Sequence, residues 1–264
     1  MKSEKIDLNN MQNSNDFEAV AAAVEGQLPT GAMLFDKSLL PSRGKFYPET
    51  IYVKKMNTKN IKNLSTITEQ NANYIFNTIL TNCVLGIDTN KILIGDKLWF
   101  IYYLRALTFD DRPVIIKHKC EHCGSNVVLE YRLKNLMVEY LDKEVPPAIT
   151  LDNGDVIATK FPDIASEIQT ARLKNSDDII ENIESDLLDF AVNIASINGK
   201  KVKLMEAYEY VCNMDASCFA DLVQTMSTFM FTVKPYGEFQ CPECGETVIE
   251  KIAFTPSFFL PKKV

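Results

Sequence analysis

Two short segments, Cys120-Glu121-His122-Cys123-Gly124 and Cys241-Pro242-Glu243-Cys244-Gly245, carry the same CxxCG pattern, and they constrain the fold more than any other feature. In such a knuckle both thiolates turn toward one ion, and the glycine after the second cysteine lets the chain leave with positive φ. A tetrahedral zinc site takes four ligands, with sulfur at about 2.3 Å. Each knuckle supplies two, so two knuckles make one closed site of Cys120, Cys123, Cys241 and Cys244. A compact ribbon separates its knuckles by roughly 15–20 residues. Here 117 residues, 124 to 240, lie between Cys123 and Cys241. The spacing therefore predicts a zinc-ribbon-like strand unit split by a long insertion, with one structural zinc per chain clamping the ends of the insert.

Four sulfurs leave no open position for water or substrate, so the expected role is structural rather than catalytic. Free or redox-active dithiols are the alternative reading of the motif, and an iron–sulfur cluster also uses four cysteines. His118 and His122 flank the first knuckle, but a complete cysteine set makes either unnecessary as a ligand. The remaining cysteines, Cys83, Cys212 and Cys218, sit in apolar helical patterns and read as buried core thiols. Seven cysteines without a signal-peptide-like N-terminus point to a reducing compartment and to metal or free thiols, not to disulfides.

Periodicity gives an α+β fold. Ile51 to Lys55 suits a strand, Asn71 to Val84 a helix, and Asp96 reads as the N-cap of a helix apolar on nearly every side, hence central. Val114 to Lys119 and Val127 to Leu133 flank the first knuckle as strands; Phe231 to Gln240 and Thr247 to Phe254 flank the second. Between them lies a hairpin turning at Asn153-Gly154. Four helices follow it: Asp163 to Leu173, Asp177 to Ile197 closed by Asn198-Gly199, Leu204 to Cys212, and Ala216 to Met230. The expected organisation is a flexible tail over 1–30, with one marginal helix at Ala19 to Val24, and a mixed, mainly helical module over 31–111. A split ribbon over 112–134 plus 234–255, an inserted hairpin-plus-helices module over 135–233 and a C-terminal tail over 256–264 complete it.

Charge narrows the function. The formal net charge is −7, with no dense Lys/Arg cluster, which disfavours phosphate-bearing partners. No apolar run is long enough to span a bilayer. Nucleophile elbows, zinc-protease helices and dinucleotide loops are absent, and Gly26 to Gly31 has Ala32 where a phosphate loop needs lysine. The chain reads as a non-enzyme with no small-molecule substrate. A zinc-ribbon nucleic-acid-binding or regulatory protein is the alternative that the knuckles themselves raise.

The order of the motifs resembles the T-even bacteriophage baseplate hub and hub-assembly proteins. The opening Leu40-Pro41-Ser42-Arg43-Gly44-Lys45-Phe46-Tyr47-Pro48, the Asp96 to Arg105 stretch and the first CxxCG match that family's pattern. So do the Leu151 to Gly154 turn, the Phe161-Pro162 step and the second CxxCG. The resemblance implies a hub subunit or chaperone-like assembly factor that acts by protein–protein binding. It implies partners among hub, tape-measure and tail-assembly proteins, with late expression in the host bacterial cytoplasm and a place in the virion tail baseplate. Arg43, Phe46 and Tyr47 in the Pro41 to Pro48 turn are candidate anchors for such a partner; the other reading is that Phe46 and Tyr47 pack on the core.

Overall fold

The computed structural model describes residues 29–68, 70–174, 184–252 and 256–259. The expected tail up to residue 28, its marginal helix, residues 177–183 of the expected long helix, residues 253–254 of the expected last strand and residues 260–264 lie outside them. The architecture is mixed α+β, with several small antiparallel sheets.

Its centre is α3 (Ile94–Phe109). Nearly all its residues from Asp96 to Ala106 are buried, as a helix apolar around its whole circumference must be. Around it sit a small sheet of β1 (Met33–Phe35), β2 (Ile51–Val53) and β3 (Val84–Leu85), and the helices α1 (Thr58–Leu64) and α2 (Ala72–Cys83). Phe35 lies against Trp99, Phe100 and Tyr103 at centroid separations of 5.7, 5.2 and 5.2 Å.

After α3 the chain forms the hairpin β4 (Val114–Lys119) and β5 (Asn126–Tyr131), then β6 (Leu136–Glu139). The second cysteine hairpin, β11 (Thr232–Gln240) with β12 (Thr247–Lys251), takes β6 as its third strand. Strand alternation explains the cysteine hairpins: Val127, Leu129 and Tyr131 point inward and are buried, while Val128 and Glu130 are exposed. The N-terminal elements and both cysteine hairpins share one core. It extends from Phe35 through Leu104 to Tyr131, Phe239 and Val248.

The intervening stretch builds a second core. The hairpin β7 (Ile149–Thr150) and β8 (Val156–Thr159) continues into β9 (Ile194–Ile197) and β10 (Lys200–Lys201). Helices α4 (Ile164–Lys174), α5 (Ser185–Ala191), α6 (Leu204–Cys212) and α7 (Ala216–Ser227) complete this part. Asp163 caps α4 as expected, accepting from Ser166 N at 2.9 Å.

Several expectations need correction. The helix expected to run to Ile197 stops at Ala191, and Ile194–Ile197 is a strand paired with β8. Asn198-Gly199 is therefore not a helix end but a hairpin turn, with φ of 51° and 77°, the two positive values a type I′ turn requires. Asp96 is not an N-cap: the helix begins two residues earlier, with Leu93 at the cap position. Cys83 and Cys218 are buried, but Cys212 is exposed, because α6 turns Ala207, Tyr208 and Val211 inward. The expected C-terminal tail begins instead with a helical turn, α8 (Pro256–Phe259), whose Phe258 and Phe259 are buried in the first core.

The two cores meet at the start of α3. Ile94 N donates to Pro162 O at 2.9 Å and Ile164 N to Ile92 O at 3.0 Å. Gly95 lies directly under Phe231, where a Cβ would fall inside contact distance of the Phe231 carbonyl oxygen and ring. Gly95→Ala is expected to lower the unfolding free energy by about 2–3 kcal/mol through overpacking, read from urea denaturation; a wild-type midpoint would show that the cores do not abut there.

Candidate metal centre

Each cysteine pair sits at the tip of a two-stranded hairpin, and the two tips have the same internal bonding. Cys120 N donates to Ser125 O at 2.9 Å and Gly124 N to Cys120 O at 2.9 Å. In the second tip, Cys241 N donates to Glu246 O and Gly245 N to Cys241 O, both at 2.8 Å. Gly124 and Gly245 have the same φ, 75°, and a Cβ on either would meet nothing within 4 Å. Backbone conformation, not crowding, is what calls for glycine here.

The first cysteine of each knuckle is buried and the second exposed. The knuckles face each other with these roles crossed: Cys120 Sγ lies 3.9 Å from Cys244 Sγ, and Cys123 Sγ lies 3.9 Å from Cys241 Sγ. All four sulfurs fall within 4.8 Å of one another. A tetrahedron of sulfurs around an ion at 2.3 Å has edges of about 3.8 Å. The set thus fits one thiophilic cation with all four positions taken by protein.

Electrostatics point the same way. Hydrogen bonds from the Ser125 hydroxyl and amide favour the Cys123 thiolate and bring it down to about 6. At Cys244 the Glu246 amide also favours the thiolate. Desolvation and the sulfurs of Cys241, Cys123 and Cys120 outweigh it, and the thiol is pushed up to about 12. Four thiolates this close repel one another, and a dication in their midst is the charge that removes the conflict.

The histidines do not enter the sulfur cluster. His118 Nδ1 is 2.9 Å from Glu250 Oε2, and His122 Nε2 is 3.8 Å from Glu246 Oε1. Each contact joins the first hairpin to the second, so the pair braces the two knuckles from outside. Sequence reading missed these carboxylates because nothing local marks a partner more than a hundred residues away.

The other candidate residues lie in the Pro41 to Pro48 turn, and most of their contacts run inward. Arg43, itself left-handed at φ 58°, places its guanidinium 3.7 Å from the Tyr140 ring centroid and 3.2 Å from Asp142 Oδ1. Lys45 Nζ donates to Leu141 O at 3.0 Å, and Leu141 N to Pro41 O at 2.8 Å. Tyr47 is buried; its hydroxyl donates to Asp96 Oδ2 at 2.9 Å and accepts from Leu93 N at 3.0 Å. Phe46 is half exposed, with its ring 5.1 Å from Phe161 and 6.4 Å from Phe231. The turn thus joins α3 to the segment that carries the second core.

No helix among the described residues is long and apolar enough to cross a membrane. Comparisons with curated proteins and with solved structures return no match. The family model described as T4 bacteriophage base plate protein matches residues 35–260. That match takes in the Pro41 to Pro48 turn, both cysteine hairpins and everything between them, and the chain belongs to the T4 bacteriophage base plate protein family.

Proposed function

We propose that this chain is a subunit or assembly factor of the tail baseplate hub. It works by binding other proteins, and it holds one structural zinc ion on Cys120, Cys123, Cys241 and Cys244. The family match over residues 35–260 carries the reading, because baseplate proteins act through association with other tail proteins. The sulfur cluster supports the structural half. A site filled by four protein ligands has nowhere to bind water or polarise a substrate. It instead ties two hairpins from distant parts of the chain into one body. On this reading Phe46, with Arg43 beside it, is the part of the opening turn left for a partner, and Tyr47 supports it from within.

The test is co-expression of the full chain with the hub and tape-measure proteins of its own phage. Size exclusion and metal analysis of the purified product follow. A stable complex containing one zinc per copy of this chain supports the proposal. A chain that elutes alone in every pairing overturns the assembly role, and a metal content of zero under reducing, chelator-free purification overturns the zinc.

A further inference from the structure

A cleft apart from the opening turn offers a second surface. Helices α2 and α4 and the 3-10 turn Thr89–Lys91 enclose an open cleft of about 770 Å³, within the range of ligand-binding clefts. Its floor is apolar, with Ile168 from α4, and its walls carry side-chain amides, among them Asn77 and Asn90. Most of the wall is helical, so much of its backbone is already paired, and a ligand is read largely by side chains.

Three observations define that ligand. The Asn77 carboxamide oxygen is shut off from water and has no hydrogen-bond partner. A buried acceptor left unpaired costs about 1–3 kcal/mol, and the soft χ2 of an asparagine lets the group swing toward a donor in the cleft. An amide that presents a donor beside an acceptor matches the N–H and C=O of an extended peptide. Next, the two charges in the lining are unequal in availability. Glu167 is held by the buried Lys97 at 2.6 Å, whereas Arg172 is exposed and has no ion pair or hydrogen bond among the described residues. Among the described residues, the cleft therefore offers its occupant one unpaired positive charge, Arg172. Finally, Tyr74 stands on the rim with 75% of its surface exposed and no aromatic neighbour among the described residues. Exposed tyrosine and arginine are the residue types that dominate protein interfaces.

We infer that this cleft binds a short extended segment of another tail protein. That segment carries a carboxylate for Arg172 and a backbone N–H for Asn77, and it covers Tyr74. The inference rests on the proposed protein-binding function and adds a location and a chemistry to it.

The experiment uses the full zinc-loaded chain and the co-expressed tail proteins. Wild type is compared with Arg172→Glu and Tyr74→Ala, both at exposed positions, with thermal midpoints as the folding check and Val223→Ala as a remote surface control. The expected result is a complex that both cleft variants weaken by at least about tenfold, with midpoints unchanged and the control unaffected. Fifteen-residue peptides tiling the partner should include an acidic one that binds wild type, and this binding should disappear when its Asp and Glu are changed to Lys. A complex that is indifferent to both cleft variants overturns the cleft while leaving the assembly role intact. Failure of every pairing to form a complex overturns the assembly role itself. Self-association of the chain alone that Tyr74→Ala abolishes assigns the cleft to a second copy and also overturns the inference.

Discussion

Cys241→Ser is expected to abolish the metal site and remove about 4–5 kcal/mol of stability. The estimate comes from chain entropy. An ion held by the four sulfurs would act as a cross-link closing a loop of about 118 residues, and cross-links around loops of that length constrain the unfolded chain by roughly 4.7 kcal/mol. Structural zinc in small isolated modules contributes more, about 10–16 kcal/mol, so the loop figure is the lower of the two. Domains have about 5–15 kcal/mol in total, and the variant should be partly unfolded near physiological temperature. Cys241 is buried, with its amide bonded inside the knuckle, so a serine there has neither the reach nor the softness to replace the thiolate. Zinc per chain by mass spectrometry and the urea midpoint, each with and without chelator, measure the effect. Cys212→Ser is the control, an exposed thiol outside the cluster. If Cys241→Ser kept a full zinc complement and the wild-type midpoint, the four-sulfur clamp would be wrong.

Asp96→Ala is expected to cost about 3–5 kcal/mol. The carboxylate is fully buried and takes hydrogen bonds from Ser42 N and Tyr47 OH, both at 2.9 Å. Truncation leaves those two donors buried and unpaired and detaches the opening turn from α3. Asp96 also gives the fold a pH signature. Burial pushes it up to about 6, against the opposing pull of its bonds to Ser42 and Tyr47. A folded value above the unfolded one means that the protonated form is the one the fold favours. Its contribution is complete below about pH 4 and is lost as pH rises through 6, a change of about 3 kcal/mol. The unfolding free energy of wild type minus that of Asp96→Asn should fall by most of this amount, about 2 kcal/mol, between pH 4 and pH 7. A flat difference would show that burial does not perturb the carboxylate.

The cysteine spacing was the most legible feature, because CxxCG is local chemistry and its four-ligand logic needs no knowledge of the fold. The strands around each knuckle were legible for the same reason, since alternation within one hairpin reports its own burial. What the sequence could not show was long-range. Asp96 stands before an apolar run and looks like a cap, but its carboxylate serves a turn more than fifty residues upstream. Ile194 and Ile197 continue the three-and-four spacing of the helix before them, so periodicity carried the helix past its true end into a strand. Asn198-Gly199 fits a helix end and a hairpin turn equally well until the pairing strand is known. β6 has no alternation of its own and exists because β11 pairs with it. Cys212 sits in an apolar-looking helical pattern, but only the narrow stripe of Ala207, Tyr208 and Val211 on α6 faces the core.

The helical turn at Pro256–Phe259 has a consequence for biogenesis. Phe259 lies 5.9 Å from Phe76, the Phe258 carbonyl accepts from Arg105 Nε at 2.8 Å, and the Phe258 ring sits under that guanidinium at 5.2 Å. Helices α2 and α3 are therefore covered by residues made some 150 positions later. At about 5–20 residues per second of translation, their greasy faces wait on the order of ten to thirty seconds for a lid. Vectorial synthesis thus brings a late-made helical turn to a place laid out by helices made well before it.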